Sequence, residues 1–458
     1  MNIVSQNYNN LLKNIISNTF SSSLDYMLSQ FNNESNNVFN YVNLLSNLDN
    51  TLCDIARNSL ITYFESIDKS FKDSLERKRK YEIKSYHKRT ILTIFGEITF
   101  FRTFYKSKLT GKNFCYVDRL LGLHKYDYFD PYLKSIVIEY SSFNSYPKVA
   151  KHLNDLIGNR ISIKDKQKYF SRQTIRSIIL KSNISNVNYN PKLNTPSTLY
   201  IIADEKWIPT QNNNNNEIME KSVVIFEGIK NHKLLNKRIF ASNDDSFLTD
   251  SLGYIYNTYD IDKIKNIFVM GDGAKWIYKL KYEYKIDSHI NVTFGLDKFH
   301  FKQALHHICL NKNLEDILCS YVLNNMKKDF NECCLSLIQS YPNRKDTIEN
   351  KLNYILNNWK NINNLYTNNL SCPMESQISH NIADLFTSRP KAYSIKTINK
   401  LMKIRLHYKN NENLKELYLN NYNSNTTLTF NNSSLNFNIF DKFQSYNYIN
   451  NKIYNPTF

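Results

Sequence analysis

The chain has 458 residues, which is enough for two or three domains, each with a sizeable apolar core. Its 59 Lys and Arg residues outnumber its 41 Asp and Glu residues, and the formal charge of +18 suits a polyanion such as nucleic acid, although an AT-rich genome also enriches lysine codons. No apolar run reaches the roughly 18 residues of a membrane span, the N-terminus has no signal pattern, and the cysteines contain no Cys-x-x-Cys pair, so we expect a cytoplasmic protein without membrane contact, disulfide framework or zinc ribbon.

The first two segments have different textures. Residues 1–75 carry apolar side chains at helical spacing, and they predict a helical arm for packing or oligomerisation. Residues 76–130 open with a basic cluster and continue with two β-rich runs, Thr90–Phe95 and Ile98–Tyr105. These runs predict a basic β-hairpin joined through Gly96–Glu97. Such a hairpin either follows a phosphate backbone or is a solvated face.

Residues 131–183 have the pattern of three helices, the last of which begins after Ser171, a favourable N-cap residue. A helix followed by one that opens Ser-Arg-Gln-Thr is similar to a helix-turn-helix DNA reader. Arg172, Gln173 and Arg176 would then face the major groove, where Arg matches guanine and Gln matches adenine. A plain helical bundle is the open alternative.

Two β-rich runs downstream end in acids. Leu199–Ile202 leads into Asp204, which Glu205 follows, and Ile267–Met270 leads into Asp272 between two glycines. A carboxylate at a strand end is held by a rigid backbone where water and phosphate reach it. The two aspartates are 272 − 204 = 68 residues apart, so only the fold can bring them together.

Residues 196–301 predict three antiparallel strands, a helix, and two further strands with a helix between them. This is the order of a ribonuclease H-like domain, in which the first and fourth strands are neighbours. Residues 302–369 have an almost wholly helical pattern and predict an all-α insertion. Residues 370–409 supply the last helix of the core with Glu375 as a third acid, and an Asn-rich tail follows at 410–458.

The predicted fold class is therefore α+β and multidomain. A ribonuclease H-like α/β catalytic core is interrupted by an all-α insertion and preceded by a helical DNA-binding region. The domain boundaries are 1–75, 76–130, 131–183, 196–301, 302–369, 370–409 and 410–458.

Taken together, these segments carry a family resemblance over nearly the whole chain. The sequence resembles the bacterial insertion-sequence transposases of the ISLre type, relatives of the Mutator-like DDE enzymes. It departs from them at Lys206 and at Lys391–Tyr393. The resemblance depends on the order and spacing of Thr93–Tyr105, the helix at Ser145–Tyr146, Ala203–Glu205, Gly271–Ala274, Leu296–His300, Glu375 with His380, and Ser388–Pro390.

The resemblance implies a DDE site made of Asp204, Asp272 and Glu375, with His300 and Asp297 in a motif after the second acid. Carboxylates suit two Mg²⁺ ions, for which Mn²⁺ substitutes, with Asp204 shared between them. The implied partners are double-stranded DNA with terminal inverted repeats, target DNA, and further copies of the chain in a synaptic complex. Three basic residues are further candidates for phosphate contacts: Lys275, Lys298 and Arg389.

Two other functions stay open. A non-catalytic, sequence-specific DNA-binding protein, either a decayed copy or a regulator, needs the basic helices and none of the acids. A metal-dependent nuclease that only hydrolyses needs the acids but no joining step. Individual residues also have plainer interpretations: a structural hydrogen bond for His300, a surface acid for Glu205, and core packing rather than base stacking for Trp207 and Trp276.

Overall fold

The computed structural model describes residues 38–158, 169–184, 187, 189–211, 217–231, 233–367, 377, 379–387 and 392–426, with six single positions between 13 and 29. Several predicted features lie outside these residues. They are most of the predicted helical arm before residue 38, residues 159–168 of the predicted three-helix region, Glu375, Arg389, and the tail from 427 onward.

The N-terminal part is one long helix on a small antiparallel sheet. The helix Val38–Asp73 and the short helix Leu75–Lys80 precede the strands β1 (Tyr81–Thr93), β2 (Gly96–Ser107) and β3 (Asn113–Cys115). Aromatic side chains join the helix to the segment after the sheet, since the rings of Phe71 and Tyr116 stack with centroids 3.8 Å apart. The helix Val38–Asp73 therefore packs on the hairpin region.

The hairpin turn lies two residues earlier than the predicted Gly96–Glu97. Ile94 and Phe95 form the turn, and Thr93 pairs with Gly96 across it. The Thr93 hydroxyl accepts a hydrogen bond from Phe95 N (3.1 Å) and donates one to Gly96 O (2.8 Å). Gly96 has a φ of 112°, so its positive φ is needed at the first residue of the second strand rather than inside the turn.

A helical region follows, beginning with the short helix Tyr116–Leu120. Ser171 caps the last of its helices as predicted, because its hydroxyl accepts a hydrogen bond from Thr174 N at 3.1 Å. One apolar cluster joins these helices to two helices from the end of the chain. The members of this cluster are the helices Pro131–Ser141, Tyr146–Gly158, Arg172–Lys181, Ile395–Lys409 and Leu414–Thr426.

The last of these helices corrects a prediction. The Asn-rich segment from residue 410 was expected to be a low-complexity tail, yet Leu414–Thr426 is a helix. Leu414 and Tyr418 are buried in the apolar cluster, because they lie four residues apart on one face. The composition of the segment concealed this short stripe.

Seven further strands lie in the described central part of the chain: β4 Thr198–Pro209, β5 Glu217–Phe226, β6 Gly228–Lys230, β7 Lys233–Leu235, β8 Arg238–Ser242, β9 Asn266–Gly271 and β10 Asn291–Leu296. Five of them form the central sheet in the order β10-β9-β4-β5-β8. Strands β8, β5 and β4 are antiparallel neighbours, whereas β4, β9 and β10 are parallel. The remaining two, β6 and β7, form a small separate hairpin after β5.

Helices cover both faces of this sheet. Ser246–Thr258 and Lys275–Glu283 pack on one face, with the 3₁₀ turn Ile261–Lys263 between them in the chain. Leu365 and Leu406 pack on the other face. Because both faces are covered, the run Ile267–Met270 is buried at every position rather than at alternate ones.

The chain after β10 forms a helical layer with its own apolar core. This layer matches the predicted helical stretch in position. Its helices are Lys298–Ile308, Lys312–Leu323, Lys327–Ser340, Lys345–Asn357 (after the 3₁₀ turn Pro342–Arg344) and Trp359–Thr367, and a π-helical turn Ser379–Ala383 with the short helix Asp384–Phe386 follows later. The protein is thus mixed α/β with a mixed sheet. No helix in the described ranges is both long and apolar enough to cross a membrane.

Candidate functional site

The two acid-bearing strands are neighbours in the sheet. β4 and β9 run parallel, and their last paired residues are Ile202 and Met270. Asp204 and Asp272 each follow two residues later, so both carboxylates lie at the same end of the paired region. The predicted adjacency of these two strands is confirmed, and it brings together side chains that are far apart in the sequence.

Gly271 permits the close approach of the strands beside Asp272. A Cβ at this position would lie 2.7 Å from the Ala203 carbonyl oxygen and 2.7 Å from the Ile277 side chain. Any larger residue would push β9 away from β4 or displace the following helix. Gly273, with a φ of 88°, then lets the chain turn, and Asp272 Oδ1 accepts a hydrogen bond from Ala274 N at 2.8 Å.

The electrostatics of Asp204 set it apart from an ordinary surface acid. Burial, together with the nearby Asp272 carboxylate, raises its pKa to about 6 against the opposing effects of the Glu205 N–H and His300. Its Oδ1 accepts a hydrogen bond from Glu205 N at 2.7 Å. Within the described ranges, no hydrogen bond reaches the second oxygen of Asp204 or of Asp272, and no Lys or Arg forms an ion pair with either residue. Two neighbouring carboxylates therefore share a site in which no described Lys or Arg is paired with either of them.

Asp297 and His300 complete the local arrangement. Asp297 N donates to Gly271 O at 2.8 Å, and the Asp297 side chain is buried while it caps the next helix through Phe299 N. His300 Nδ1 lies 3.1 Å from Asp297 Oδ2. This contact raises the pKa of His300, and Asp272 and Asp204 raise it too. An imidazole whose protonated form is favoured by these carboxylates thus lies within electrostatic reach of Asp204 and Asp272.

The helical layer contacts the same loop. The Tyr354 hydroxyl donates to the Asp272 carbonyl oxygen at 2.7 Å, and the Asn364 amide donates to Phe294 O at 2.8 Å. Tyr354 had no signal in the sequence beyond its place on an amphipathic helix. Since its contact fixes the backbone of Asp272, the helical layer helps to define the site.

Residues next to the acids have distinct environments. Glu205 accepts a hydrogen bond from the Trp276 indole, so it is held in place rather than being a simple surface acid. Trp276 packs against the core beneath the sheet. Trp207 is 52% exposed, and the core-packing interpretation of this residue is wrong. An exposed tryptophan three residues after Asp204 is available to a ligand.

The candidate DNA contacts lie in three places. Lys275 is exposed at the start of the helix after Asp272, next to the site. The Lys298 ammonium lies 4.6 Å from the ring centroid of Tyr366, a cation–π contact that occupies it. Arg172, Gln173 and Arg176 lie together on the first turns of their helix. The assignment of all these residues to DNA stays a prediction.

Two of the three predicted metal ligands, Asp204 and Asp272, form a site that suits a divalent cation. The charged form of Asp204, whose pKa the Asp272 carboxylate helps to raise, is stabilised when a cation neutralises it, and Mg²⁺ prefers such oxygen ligands. Within the described ranges, no group of three His, Cys, Asp or Glu residues has a metal-binding arrangement. The third predicted ligand, Glu375, lies outside those ranges.

Apart from this site, a cavity of about 780 Å³ lies between β8, the helix Ser246–Thr258 and the helix Ile395–Lys409. Its lining includes Glu220, which is 1% exposed. Neither carboxylate oxygen has a hydrogen-bond partner among the described residues. Burial, and then Asp244, raise the pKa of Glu220 to about 7, against an opposing effect of Asn243. Sequence reasoning missed this acid, because it lies inside a β-rich run without any motif.

The substitution Glu220→Gln is expected to stabilise the protein above neutral pH. The folded-state pKa of about 7 exceeds the ordinary value of 4.5, so wild-type stability falls as the pH rises between these values. At pH 8 the variant should gain up to about 3 kcal/mol in unfolding free energy, at about 1.4 kcal/mol per pKa unit. Urea unfolding at pH 5 and pH 8 measures this, and an equal effect at both values would contradict it.

Comparison with known proteins places the chain among relatives without an assigned activity. A model described as an uncharacterised protein family, UPF0236, matches residues 34–421. UPF0236 protein TTE2489 of Caldanaerobacter subterraneus subsp. tengcongensis is 25% identical over 398 residues, 83% of this chain and 81% of the relative. A second UPF0236 protein of that organism, whose name joins 11 locus designations, is 25% identical over 409 residues, 85% of this chain and 82% of the relative.

Proposed function

The chain belongs to the uncharacterised protein family UPF0236, and we propose that it is a DNA transposase that cleaves and joins DNA strands at a metal-dependent site. The observation that carries this proposal is the pair Asp204 and Asp272, each of which lies two residues beyond the last paired residues of the adjacent parallel strands β4 and β9. The Asp272 carboxylate helps to raise the pKa of Asp204, and neither acid forms an ion pair with a Lys or Arg among the described residues. A stable protein without such a function would gain by replacing one of them.

The strand order supports a ribonuclease H-like core. The antiparallel strands β8, β5 and β4 are followed in the sheet by the parallel strands β9 and β10, and the acids stand on the first and fourth strands of the chain order. The helical layer after β10 and before Glu375 has the place of the insertion that the sequence predicts. A fold alone does not determine an activity, which depends on the residues of the site.

The relatives add a second line of support. One name covers 11 loci of a single genome, and other names in the same genome cover four and two loci. Repeated copies are what an element that moves its own gene would leave. The charge of +18 supports DNA as the partner.

In this proposal Asp204, Asp272 and Glu375 hold the divalent cations, Mg²⁺ or Mn²⁺. A bound divalent cation supplies Lewis acidity toward a phosphate oxygen and toward the attacking hydroxyl. The Asp297 carboxylate favours the protonated form of His300, and the His300 imidazole contacts the phosphate at the cut. Lys275 is placed to contact a neighbouring phosphate. A DNA 3′-hydroxyl in place of water turns the same displacement from cleavage into joining.

The test is a cleavage and joining assay with labelled DNA that carries the terminal repeats flanking the gene. Purified protein is incubated with Mg²⁺ or Mn²⁺ beside Asp204→Ala, Asp272→Ala and Glu375→Ala, and DNA binding is measured in parallel. Joined products that vanish in all three variants, while binding persists, support the transposase. Cleavage without joining indicates a hydrolytic nuclease, and binding without cleavage indicates a non-catalytic DNA-binding protein.

A further inference from the structure

Arg172, Gln173 and Arg176 line a small cleft. The cleft has a volume of about 80 Å³ and lies between the first turn of the helix Arg172–Lys181, the start of the helix Tyr146–Gly158, and the segment around Tyr393. We propose that this cleft binds one phosphate of the DNA backbone. The proposal rests on DNA being the substrate.

The polar groups of the cleft are mainly hydrogen-bond donors. The lining contains two guanidinium groups and no carboxylate. Neither Arg172 nor Arg176 forms an ion pair with any described acid, so their charges are not neutralised within that part of the protein. Paired arginines without a carboxylate are suited to a phosphate, which their planar groups contact through two donors each.

The backbone adds to this donor set. In the first turn of the helix, Ser171 accepts from Thr174 N, and Ile175 N bonds to Ser171 O. The amides of Arg172 and Gln173 have no backbone partner in the described ranges. These two N–H groups stand at the positive end of the helix dipole, which favours an anion.

A buried hydroxyl gives an independent indication of a ligand. Tyr146 is 6% exposed, and its hydroxyl has no hydrogen-bond partner among the described residues. Arg176 and Tyr393, which line the same cleft, are close enough to act on the Tyr146 phenol. Burial raises the pKa of Tyr146, so the group stays a donor. An unpaired buried hydroxyl costs free energy, and a ligand oxygen would remove that cost.

The size of the cleft limits the ligand. About 80 Å³ equals the space of two or three water molecules, at about 30 Å³ each. That space suits a single phosphate group and is too small for a nucleobase. The exposed Arg172 and Gln173 stand at its mouth, and Tyr146 lies buried behind them. A phosphate that remains part of a strand fits this geometry.

The cleft is tied to the strand that carries Asp204. Gln211, directly after β4, lines it, and Gln211 N donates to Tyr393 O at 3.0 Å. Gln211 is seven positions after Asp204, and at about 3.3 Å per residue the chain between them spans at most roughly 23 Å. The same length covers about seven base pairs at 3.4 Å each. A phosphate held here would fix the position of the duplex relative to the strand-end acids.

This inference differs from the major-groove prediction in a measurable way. A backbone contact weakens binding to all sequences alike, whereas a base contact acts only on the cognate sequence. The variants are the double substitution Arg172→Gln/Arg176→Gln, the neutral substitution Tyr146→Phe, and the control Lys148→Gln/Lys151→Gln. The control removes the same charge from exposed lysines of the neighbouring helix.

Binding to a terminal-repeat duplex and to a scrambled duplex is measured by fluorescence anisotropy across salt concentrations, and melting temperatures verify folding. The arginine variant should bind both duplexes at least about 10-fold more weakly than the control variant, with the salt slope reduced by about 1 for one lost phosphate. Tyr146→Phe should weaken binding without changing the slope, and it should raise the melting temperature of the DNA-free protein. Cleavage is not measured, so failure of catalysis and failure of this site are distinguishable.

Three results would overturn the proposal. Binding that falls equally in the arginine and lysine variants would indicate a general charge effect. A loss confined to the terminal-repeat duplex would indicate base reading. Stabilisation of the wild-type protein by inorganic phosphate, together with unchanged DNA affinity in the arginine variant, would make the cleft a site for free phosphate only.

Discussion

The substitution Asp204→Asn is expected to abolish DNA cleavage while it stabilises the metal-free protein. An amide is a poor ligand for a hard divalent cation, so activity should fall by more than the roughly 10–100-fold typical of residues that only support a ligand. The burial of Asp204 and the neighbouring Asp272 carboxylate raise its pKa from 3.8 to about 6. Folding of the wild-type protein therefore costs electrostatic free energy at Asp204, whereas folding of the Asp204→Asn variant does not.

The sign of the stability change follows from this pKa. An acid whose folded-state pKa lies above its unfolded value makes its full contribution to stability at low pH, and loses it as the pH rises from about 4 to about 6. Above pH 6 the wild-type protein bears the whole cost, which is up to about 3 kcal/mol at about 1.4 kcal/mol per pKa unit. Urea unfolding in EDTA at pH 8 measures the gain of Asp204→Asn.

A matched control is Asp262→Asn, which changes an exposed aspartate of the same domain. This variant should keep both its activity and its stability. If Asp204→Asn retains cleavage activity, Asp204 does not belong to the site. If it lowers stability at pH 8, the carboxylate serves the fold rather than a ligand.

The second large effect is expected at Arg405. This side chain is 1% exposed in the helix Ile395–Lys409. It donates to Asn381 O at 2.8 Å, to Ser142 O at 2.9 Å and to Asp384 Oδ2 at 3.0 Å. Arg405→Met would remove these donors, leaving two buried carbonyl groups short of a partner, and should cost about 3–5 kcal/mol of unfolding free energy.

The same urea unfolding measures this loss. The control is Lys396→Met, an exposed position on the same helix, where we expect less than about 0.5 kcal/mol. Because Arg405 joins the helix Pro131–Ser141 to the segment after Glu375, its loss should also expose that segment to proteolysis. A change below about 1 kcal/mol for Arg405→Met would show that this network contributes little.

Much of the sheet follows from local sequence patterns. The run Ile267–Met270 is apolar on both faces, which indicates a strand covered on both sides, and all four of its residues are buried in the structure. The neighbouring strands could be ordered because an antiparallel meander and a following helix leave few topologies. Asp204 and Asp272 could therefore be paired before the fold was known.

Other features could not be read from the sequence. The Gly96–Glu97 turn was misplaced, because a glycine with positive φ beside a turn resembles one inside it. Trp207 precedes the buried Ile208, so its exposure depends on which face of β4 it occupies. Glu220 lies in no motif, and the motif at Ser145–Tyr146 gives no sign of a ligand, because what distinguishes both side chains is the absence of a hydrogen-bond partner among the described residues.

Calorimetric titration of the DNA-free protein with Mn²⁺ tests most directly whether Asp204 and Asp272 hold a divalent cation. The wild-type protein and Asp262→Asn should bind Mn²⁺ alike, and Asp204→Asn and Asp272→Asn should each weaken binding by more than about 10-fold. Mn²⁺ binding that is unchanged in both site variants would contradict a metal site at these strand ends.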